Sequence, residues 1–239
     1  MTVEQLAKMQ IRRGYDAGAS LAAFDGDRIV GFVLTGIDGD RAYNSGTGVA
    51  VSHRRHGLGR ALMHRVIELL RARGTTSYVL EVIETNERAA ALYRSVGFEE
   101  RRRFQCWTFE AKRNVKAKEL ANVNLEDIIA NADVEPSWQN SLASIGRAAE
   151  SHVVLGDQRG AIVFFPRSGD LPLLAIRRDA RRNGIGSHLL NAAATRAAKK
   201  LRILNVDDRD EGIAVFMSAA GATPLVRQIE MIHILRPAG

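Results

Sequence analysis

The sequence predicts an α/β protein built from two tandem domains of one kind. Stretches with the two-residue period of strands alternate with stretches of helical period along the chain, as in mixed α/β folds. A glycine-containing motif occurs twice, and a second motif follows it in the same order both times. With 239 residues, the chain can hold two domains of ordinary size, which is roughly 100 to 150 residues each.

Two pairs of similar segments carry the repeat. VAVSHRRHGLGRAL at 49–62 corresponds to IRRDARRNGIGSHL at 176–189, and LEVIETN at 80–86 corresponds to LNVDDRD at 204–210. Two matches in one order and at similar spacing favour a duplication over chance. We therefore predict domains at 1–112 and 113–239, with the boundary in the charged stretch between them.

The first half is predicted to alternate helices and strands from its start. The Asp25-Gly26-Asp27 turn separates the first two strands, and Gly74 and Gly97 end the second and third helices. In chain order, the prediction is a helix at 3–13, strands at 20–24, 28–37 and 43–51, a helix at 58–73, a strand at 78–83, a helix at 86–96 and a strand at 98–109.

The second half is predicted to have the same order of elements after a longer beginning. Its first strand and helix have no counterpart in the first half, so we expect the first domain to lack its N-terminal strand and helix. The prediction is a strand at 115–120, helices at 125–130 and 140–149, strands at 152–155, 161–165 and 171–176, a helix at 185–200, a strand at 202–206, a helix at 211–220 and a strand at 228–235.

Composition limits the class of partner. With 34 Lys+Arg against 27 Asp+Glu, the formal net charge is +7, which favours an anionic partner such as a phosphorylated cofactor. Nucleic acid is disfavoured because no aromatic and basic strand motif of an RNA-binding sheet occurs. A membrane is disfavoured by the absence of a long apolar run, and the single Cys106 with no signal segment predicts the cytoplasm. We interpret the run 101–103 as solvated surface arginine.

The repeated glycine motif predicts an anion-binding loop. Gly57 and Gly184 each stand between a predicted strand and a predicted long helix. The first N–H groups of a helix have no intrahelical partner, and the helix dipole favours an anion there. Glycine also lets the backbone approach a pyrophosphate closely. A single match would be interpreted as an ordinary turn, but two matches in the same context favour phosphate binding.

The motifs together resemble a known family. VxxxHRRHGLGR at 49–60, LEV at 80–82 with Asn86, and ALYRSVGF at 91–98 resemble the GCN5-related N-acetyltransferases, or GNAT family. The resemblance occurs once per half and is stronger in the first, where it is closest to the ribosomal-protein N-terminal-alanine acetyltransferases. It implies two tandem domains, each with a mixed, mostly antiparallel sheet flanked by helices, and acetyl transfer from acetyl-CoA to a primary amine.

The resemblance also implies which residues hold acetyl-CoA as co-substrate. In the family, the strand before the loop contacts the pantetheine and the loop holds the pyrophosphate. No metal site is predicted, because His53 and His56 lack a third ligand. The implied cofactor-binding positions are Thr47, Gly48, Val49, Arg54, Arg55, His56, Gly57, Leu58, Gly59, Arg60 and Asn86 in the first half, with Arg181, Gly184 and Gly186 in the second.

Acetyl transfer to an amine involves two proton transfers, since the ammonium must lose a proton and the departing thiolate is helped by gaining one. The resemblance assigns Glu81 as the base and Tyr93 as the acid, with Glu84 as an alternative base and core packing as the alternative role of Tyr93. Asn205 and Met217 stand at the corresponding positions of the second half, so catalysis is expected in the first half.

Two functional hypotheses follow from these observations. The first is an N-acetyltransferase acting on a small-molecule or peptide amine that the sequence does not identify. The second is a non-catalytic acyl-CoA-binding or interaction protein with the same fold. The sequence leaves open whether the protein forms a homodimer.

Overall fold

The computed structural model describes residues 2–120, 124–130 and 133–235. The chain divides into two compact units. The first comprises Met1–Arg102 together with Gln228–Gly239, and the second comprises Arg103–Arg227. The predicted domains at 1–112 and 113–239 were defined by the sequence repeat and not by contacts, so that division stays a prediction.

Helices and strands alternate through the described residues. The helices are α1 (Val3–Arg12), α2 (Leu58–Ala72), α3 (Glu87–Ser95), α4 (Leu125–Ile129), α5 (Leu142–Arg147), α6 (Ile185–Arg196) and α7 (Glu211–Ala220). The strands are β1 (Leu21–Asp25), β2 (Arg28–Asp38), β3 (Arg41–Val49), β4 (Ser77–Ile83), β5 (Glu99–Phe109), β6 (Val153–Asp157), β7 (Gly160–Phe164), β8 (Leu173–Ile176), β9 (Leu201–Asp207) and β10 (Thr223–Ile234). No helix in the described ranges is long and apolar enough to cross a membrane.

The elements predicted for the first half are all present, whereas four predictions for the second half need correction. The last strand, predicted at 228–235, begins at Thr223. The predicted strand at 115–120 is reduced to one bridge between Glu119 and Leu155. The predicted helix at 140–149 begins as a 3-10 turn, and α5 follows from Leu142. Helix α6 ends at Arg196, because Ala197 is extended and the N–H of Ala198 turns to the carbonyl of Pro166.

The sheet of the first unit has the order β1-β2-β3-β4-β10-β5. Its β1–β2, β2–β3 and β4–β10 pairs are antiparallel, and β3 and β4 are parallel. Only the first three residues of β3 and β4 pair, ending at Tyr43 and Val79. Beyond that point β3 continues to Val49 and β4 to Ile83 without pairing to each other, so a gap opens between them.

Helix α2 fixes the position of this gap because its apolar face packs on the sheet. Burying a large aliphatic side chain stabilises a fold by about 1.5 to 3 kcal/mol, so several together hold the helix firmly. The buried residues of the cluster include Leu62, Met63, Val66, Ile67 and Leu70 from α2, Leu80 and Val82 from β4, Tyr93 from α3, and Ile229 and Met231 from β10. The C-terminal strand of the chain is thus part of the core of the first unit.

The second unit repeats this arrangement of elements. Strands β6, β7 and β8 form an antiparallel sheet, and β9 pairs with residues 104–109 of β5. Among the described residues, an isolated parallel bridge joins Asp170, just before β8, to Arg202 of β9, and β8 and β9 themselves do not pair. A gap therefore opens between two parallel strands at the same place as in the first unit. Each unit has a mostly antiparallel sheet flanked by helices, which confirms the predicted fold class.

Candidate active site

The loop before α2 has an unusual backbone. Gly57 caps the helix with a φ of 79°, and Arg55 has a φ of 67°, a region that residues other than glycine rarely adopt. Arg54 Nε donates to the carbonyl of Val49 at 3.0 Å, which ties the loop to the end of β3. A Cβ atom placed on Gly57 would meet no atom within 4 Å. The loop is therefore open to a ligand at Gly57, the N-cap of a 15-residue helix.

The loop before α6 has the same geometry. Gly184 caps the helix with a φ of 75°, and Arg182 has a φ of 65°. Arg181 Nε donates to the carbonyl of Ile176 at 2.9 Å. These residues occupy the positions of Gly57 and the preceding arginines in the repeat, so the duplication extends to backbone conformation.

The second glycine of each loop lies close to a side chain of the following helix. A Cβ atom on Gly59 would lie 3.3 Å from Cδ2 of Leu92 on α3. A Cβ atom on Gly186 would lie 3.3 Å from Cε2 of Phe216 on α7. These contacts are tighter than usual, so a residue with a Cβ atom would require the neighbouring side chain to shift by a few tenths of an ångström. A cofactor contact at Gly59 and Gly186 stays a prediction.

The charges of the two loops differ. Arg181 Nη1 lies 2.7 Å from Asp133 Oδ2, and Arg178 Nη2 lies 3.0 Å from Asp133 Oδ1. The hydrogen bond from Arg181 lowers the pKa of Asp133. Within the described ranges, no carboxylate lies within ion-pair distance of Arg54 or Arg55. The first loop can therefore offer its arginines to a phosphate, whereas in the second loop a phosphate would compete with Asp133.

The edge of β3 that faces the gap carries the predicted pantetheine positions. Thr47, Gly48 and Val49 are half-buried and lie beyond the last pair with β4. Thr47 Oγ1 accepts a hydrogen bond from Asn44 Nδ2 at 2.8 Å. A Cβ atom on Gly48 would lie 2.6 Å from the ring of Phe32, so glycine is needed there. The backbone groups of this edge are available to an extended ligand.

Tyr93 reaches the same edge from α3. Its ring packs on Phe98 with centroids 5.9 Å apart, and its phenol lies near the Thr47 side chain. Burial raises the pKa of Tyr93, and the Thr47 side chain opposes this only in part. The phenol therefore keeps its proton at neutral pH and can donate it. Tyr93 therefore packs in the core and also lies at the gap, so its ring has a structural role while its hydroxyl is placed to act as the acid.

Glu81 lies on β4 with a pKa suited to a base. Tyr43 donates a hydrogen bond from its phenol to Glu81 Oε2. Burial raises the pKa of Glu81 to about 7, opposed by the Tyr43 hydrogen bond and the Arg13 charge. Glu230 raises this pKa further and Arg102 lowers it. A carboxyl group with a pKa near neutrality can take up a proton and release it at physiological pH.

Glu81 and Tyr93 approach the gap from opposite faces of the sheet. Leu80 and Val82 belong to the core cluster that also contains Tyr93. Because side chains alternate along a strand, Glu81 points to the other face of β4. A base and an acid are thus placed on either side of a gap that an extended ligand could occupy.

The other predicted cofactor residues of the first unit have separate places. Asn86 caps α3, since its Oδ1 accepts the N–H of Ala89 at 3.2 Å. His56 and Arg60 are exposed at the loop and the first turn of α2, and Leu58 is half-buried. Contacts of these residues with a cofactor stay predictions. Among the residues that the structure describes, no group of three His, Cys, Asp or Glu side chains could hold a metal ion.

The second unit has a cleft without the acid and base of the first. A cavity of about 480 Å³ lies between β8, β9, α7 and the loop at Gly184. Asn205 and Met217 line it, at the positions of Glu81 and Tyr93 in the repeat. Asn205 is buried with a φ of 54° and donates from Nδ2 to Ser137 Oγ at 3.3 Å. Neither side chain can exchange a proton at neutral pH.

Sequence reasoning missed several residues around Glu81. The interpretation of 101–103 as solvated arginine is wrong for Arg102, which is 5% exposed and forms a bidentate pair with Glu230. Tyr43, Arg13 and Glu230 were not singled out. A β4 carboxylate needs partners from neighbouring strands, but which strands these are depends on the sheet order.

Comparison with known proteins shows which family the first part of the chain resembles. The model of the acetyltransferase (GNAT) family matches residues 2–98, which contain β3, the first loop, Glu81 and Tyr93. This segment is therefore similar to the GNAT family. The second loop lies outside the matched residues, so the relation of the second unit to GNAT proteins rests on the fold.

Curated relatives match a part of the chain. A [ribosomal protein bS18]-alanine N-acetyltransferase of Salmonella typhimurium is 39% identical over 74 residues, which is 31% of this chain and 50% of that protein. The protein of the same name from Escherichia coli K12 is 38% identical over 73 residues, 30% of this chain and 49% of that protein. The chain thus spans about half the length of the curated relatives it matches.

Solved structures match the whole chain. A GCN5-related N-acetyltransferase from Sphaerobacter thermophilus has a TM-score of 0.73 at 15% identity, covering 100% of this chain and 87% of that one. A tandem GNAT protein from the clavulanic acid biosynthesis pathway has a TM-score of 0.60 at 15% identity, covering 99% and 96%. At these identities the likeness shows the fold, which is that of GNAT proteins of tandem type.

Proposed function

We propose that the first unit transfers an acetyl group from acetyl-CoA to a primary amine. The observation that carries this proposal is the placement of Glu81 and Tyr93 on opposite faces of the sheet at one gap between parallel strands. Burial raises the pKa of Glu81 to about 7, which suits a base. The phosphate loop at Gly57 and the similarity of residues 2–98 to the GNAT family support acetyl-CoA as the donor.

Glu81 would take the proton of the acceptor ammonium, because its pKa allows it to be ionised above neutrality. The amine nitrogen then attacks the acetyl carbonyl, and the bond from that carbon to sulfur breaks. Tyr93 would give its phenolic proton to the departing thiolate, and the second proton of the attacking nitrogen, released as the neutral amide forms, would restore the phenol. The unpaired backbone of β3 and the N–H groups at Gly57 would hold the donor in place.

The acceptor is proposed only as a class, a small-molecule or peptide amine. Its ammonium form suits a site that contains the carboxylate of Glu81 and, opposite it, that of Glu230. The names of two curated relatives refer to N-acetylation of an alanine of a ribosomal protein. A peptide beginning with alanine therefore belongs in an acceptor panel beside polyamines, aminoglycosides and amino acids.

For the second unit we propose binding of an acyl-CoA without transfer. The cavity of about 480 Å³ next to the Gly184 loop supports binding. Asn205 and Met217 supply neither a base nor an acid there. The ion pairs of Asp133 with the loop arginines predict a weaker affinity for the pyrophosphate than in the first unit.

Substitution of Gly57 tests which loop holds the donor more tightly. Gly57→Val places a branched side chain on the open side of the loop, at a φ of 79° that valine disfavours. We expect the affinity for coenzyme A to fall by at least about tenfold, equivalent to about 1.4 kcal/mol. Isothermal titration calorimetry measures this change.

Gly184→Val is the matched control, since Gly184 has the same conformation and the same free space. We expect Gly184→Val to leave the tighter of the coenzyme A binding steps, assigned to the first unit, unchanged. Loss of that step in Gly184→Val, with Gly57→Val unaffected, would assign the donor to the second unit.

A further inference from the structure

The C-terminal strand brings a second carboxylate to the base of the first unit. In the antiparallel pairing of β10 with β4, Glu230 lies directly opposite Glu81. Residues directly opposite in an antiparallel pair have their side chains on the same face, about 5 Å apart at Cβ. Glu230 is 1% exposed, so water does not screen its charge from Glu81.

Glu230 is held in place by two arginines of β5. Arg102 Nε donates to Glu230 Oε2 at 2.7 Å, and Arg102 Nη2 donates to Oε1 at 2.9 Å. Arg101 Nη1 donates to Glu230 Oε2 at 3.2 Å. A bidentate guanidinium pair fixes the position of both carboxylate oxygens. A negative charge of fixed position therefore faces Glu81.

Charged and titratable groups from four elements face Glu81. On the β3 side, Tyr43 donates to Glu81, and Arg13 from the end of α1 lies 5.7 Å from the ring of Tyr43. On the other side, β10 contributes Glu230 and β5 contributes Arg102. The two arginines favour the ionised form of Glu81, whereas Glu230 favours the protonated form.

We propose that Glu230 is a positioning residue for proton transfer in the first unit, where its fixed charge makes Glu81 a stronger proton acceptor. The inference rests on the proposed role of Glu81. Glu230 acts through Glu81, and Arg102 holds the Glu230 carboxylate in its position opposite Glu81. The proton acceptor of the site thus depends on a strand that lies more than half the chain away in sequence.

Opposite shifts in the pH profile test this inference. Glu230→Gln removes the negative charge and leaves the positive charge of Arg102, so the acidic limb of kcat/KM should move to lower pH. Arg102→Gln removes a positive charge and leaves Glu230 paired with Arg101, so the limb should move to higher pH. We expect each shift to be about half a pH unit or more, as for nearby charges in buried sites. A merely structural role would lower the rate without opposite shifts.

The double variant controls for folding. Glu230→Gln leaves a buried guanidinium without its carboxylate, which can prevent folding. Arg102→Gln compared with Arg102→Gln/Glu230→Gln then carries the test, because the two proteins differ only in the charge of residue 230. The acidic limb should lie at lower pH in the double variant. Equal limbs in these two proteins would overturn the inference.

A titration without turnover separates this inference from the proposed function. The carboxyl carbon of Glu81, labelled with ¹³C and assigned by its loss in Glu81→Gln, reports the protonation of this group by NMR. The titration midpoint of Glu81 should move to lower pH in Glu230→Gln and to higher pH in Arg102→Gln. It should lie at lower pH in the double variant than in Arg102→Gln. If no amine is acetylated but the midpoints shift, the proposed function fails and the electrostatic role of Glu230 stands. Unchanged midpoints in all variants would overturn that role.

Discussion

Tyr93→Phe is expected to lower the turnover of amine acetylation by about 10²- to 10⁴-fold, the usual contribution of a general acid. Phenylalanine keeps the ring that packs on Phe98, and Thr47 keeps its hydrogen bond with Asn44. Only the hydroxyl that would protonate the thiolate is lost. The affinity for acetyl-CoA should therefore change little, as expected when an interaction of the transition state is removed. Steady-state kinetics with calorimetry measures both quantities.

Met217→Leu is the matched control for Tyr93→Phe. Met217 is fully buried on α7 at the corresponding position of the second unit, and leucine preserves its volume. Turnover should stay close to that of the unaltered protein. Full activity of Tyr93→Phe together with loss of transfer in Met217→Leu would place the chemistry in the second unit.

Glu81→Gln is expected to cause a loss of similar size, about 10²- to 10⁴-fold in kcat/KM near neutral pH. Glutamine preserves the shape of the side chain and can accept the hydrogen bond from Tyr43, but it cannot take up a proton. In the unaltered protein, kcat/KM should rise with pH through a midpoint near 7, because Glu81 is the base only when ionised. Glu81→Gln should lose this limb. A pH series of initial rates measures it.

Glu84→Gln distinguishes the two candidate bases of the first unit. Glu84 lies just beyond the end of β4 and is half-buried. Its substitution should leave both the rate and the acidic limb unchanged. Retention of the limb in Glu81→Gln and its loss in Glu84→Gln would assign the base to Glu84.

The sequence was sufficient to predict the features that depend on neighbouring residues. The strand–loop–helix order around Gly57 and Gly184 follows from hydrophobic period and from glycine, which tolerates the left-handed backbone. The repeat predicted a similar loop in both halves, and the structure adds that Arg55 and Arg182 share an unusual positive φ. The unpaired β3 edge was expected only through the family resemblance.

Features that depend on distant strands could not be predicted. The C-terminal strand at 228–235 was expected, but its pairing with β4 is set by sheet order, which hydrophobic period does not encode. The partners of Glu81 on β3 and β10 therefore stayed unidentified. For the same reason Arg102 was interpreted as solvated, because its carboxylate, Glu230, lies on that distant strand.

The prediction for residues 115–120 was wrong for a related reason. The alternation of Val115 and Ala117 with lysines is that of an edge strand, but a strand needs a partner along its length. The structure offers one only around Leu155, where the N–H of Leu120 meets the carbonyl of Val154 and the N–H of Gly156 meets that of Lys118. The alternating pattern indicated that one side of this segment is exposed, but it predicted more strand pairing than the structure has.

The central claim is that the first unit transfers acetyl groups from acetyl-CoA to an amine. Its most direct test is mass spectrometry of an amine panel, including a peptide that begins with alanine, incubated with acetyl-CoA and the full chain at pH 8. We expect one class of amine to gain an acetyl group in step with release of free thiol, and to gain none with Glu81→Gln/Tyr93→Phe. Thiol release without any acetylated amine, or equal acetylation by the double variant, would contradict the claim.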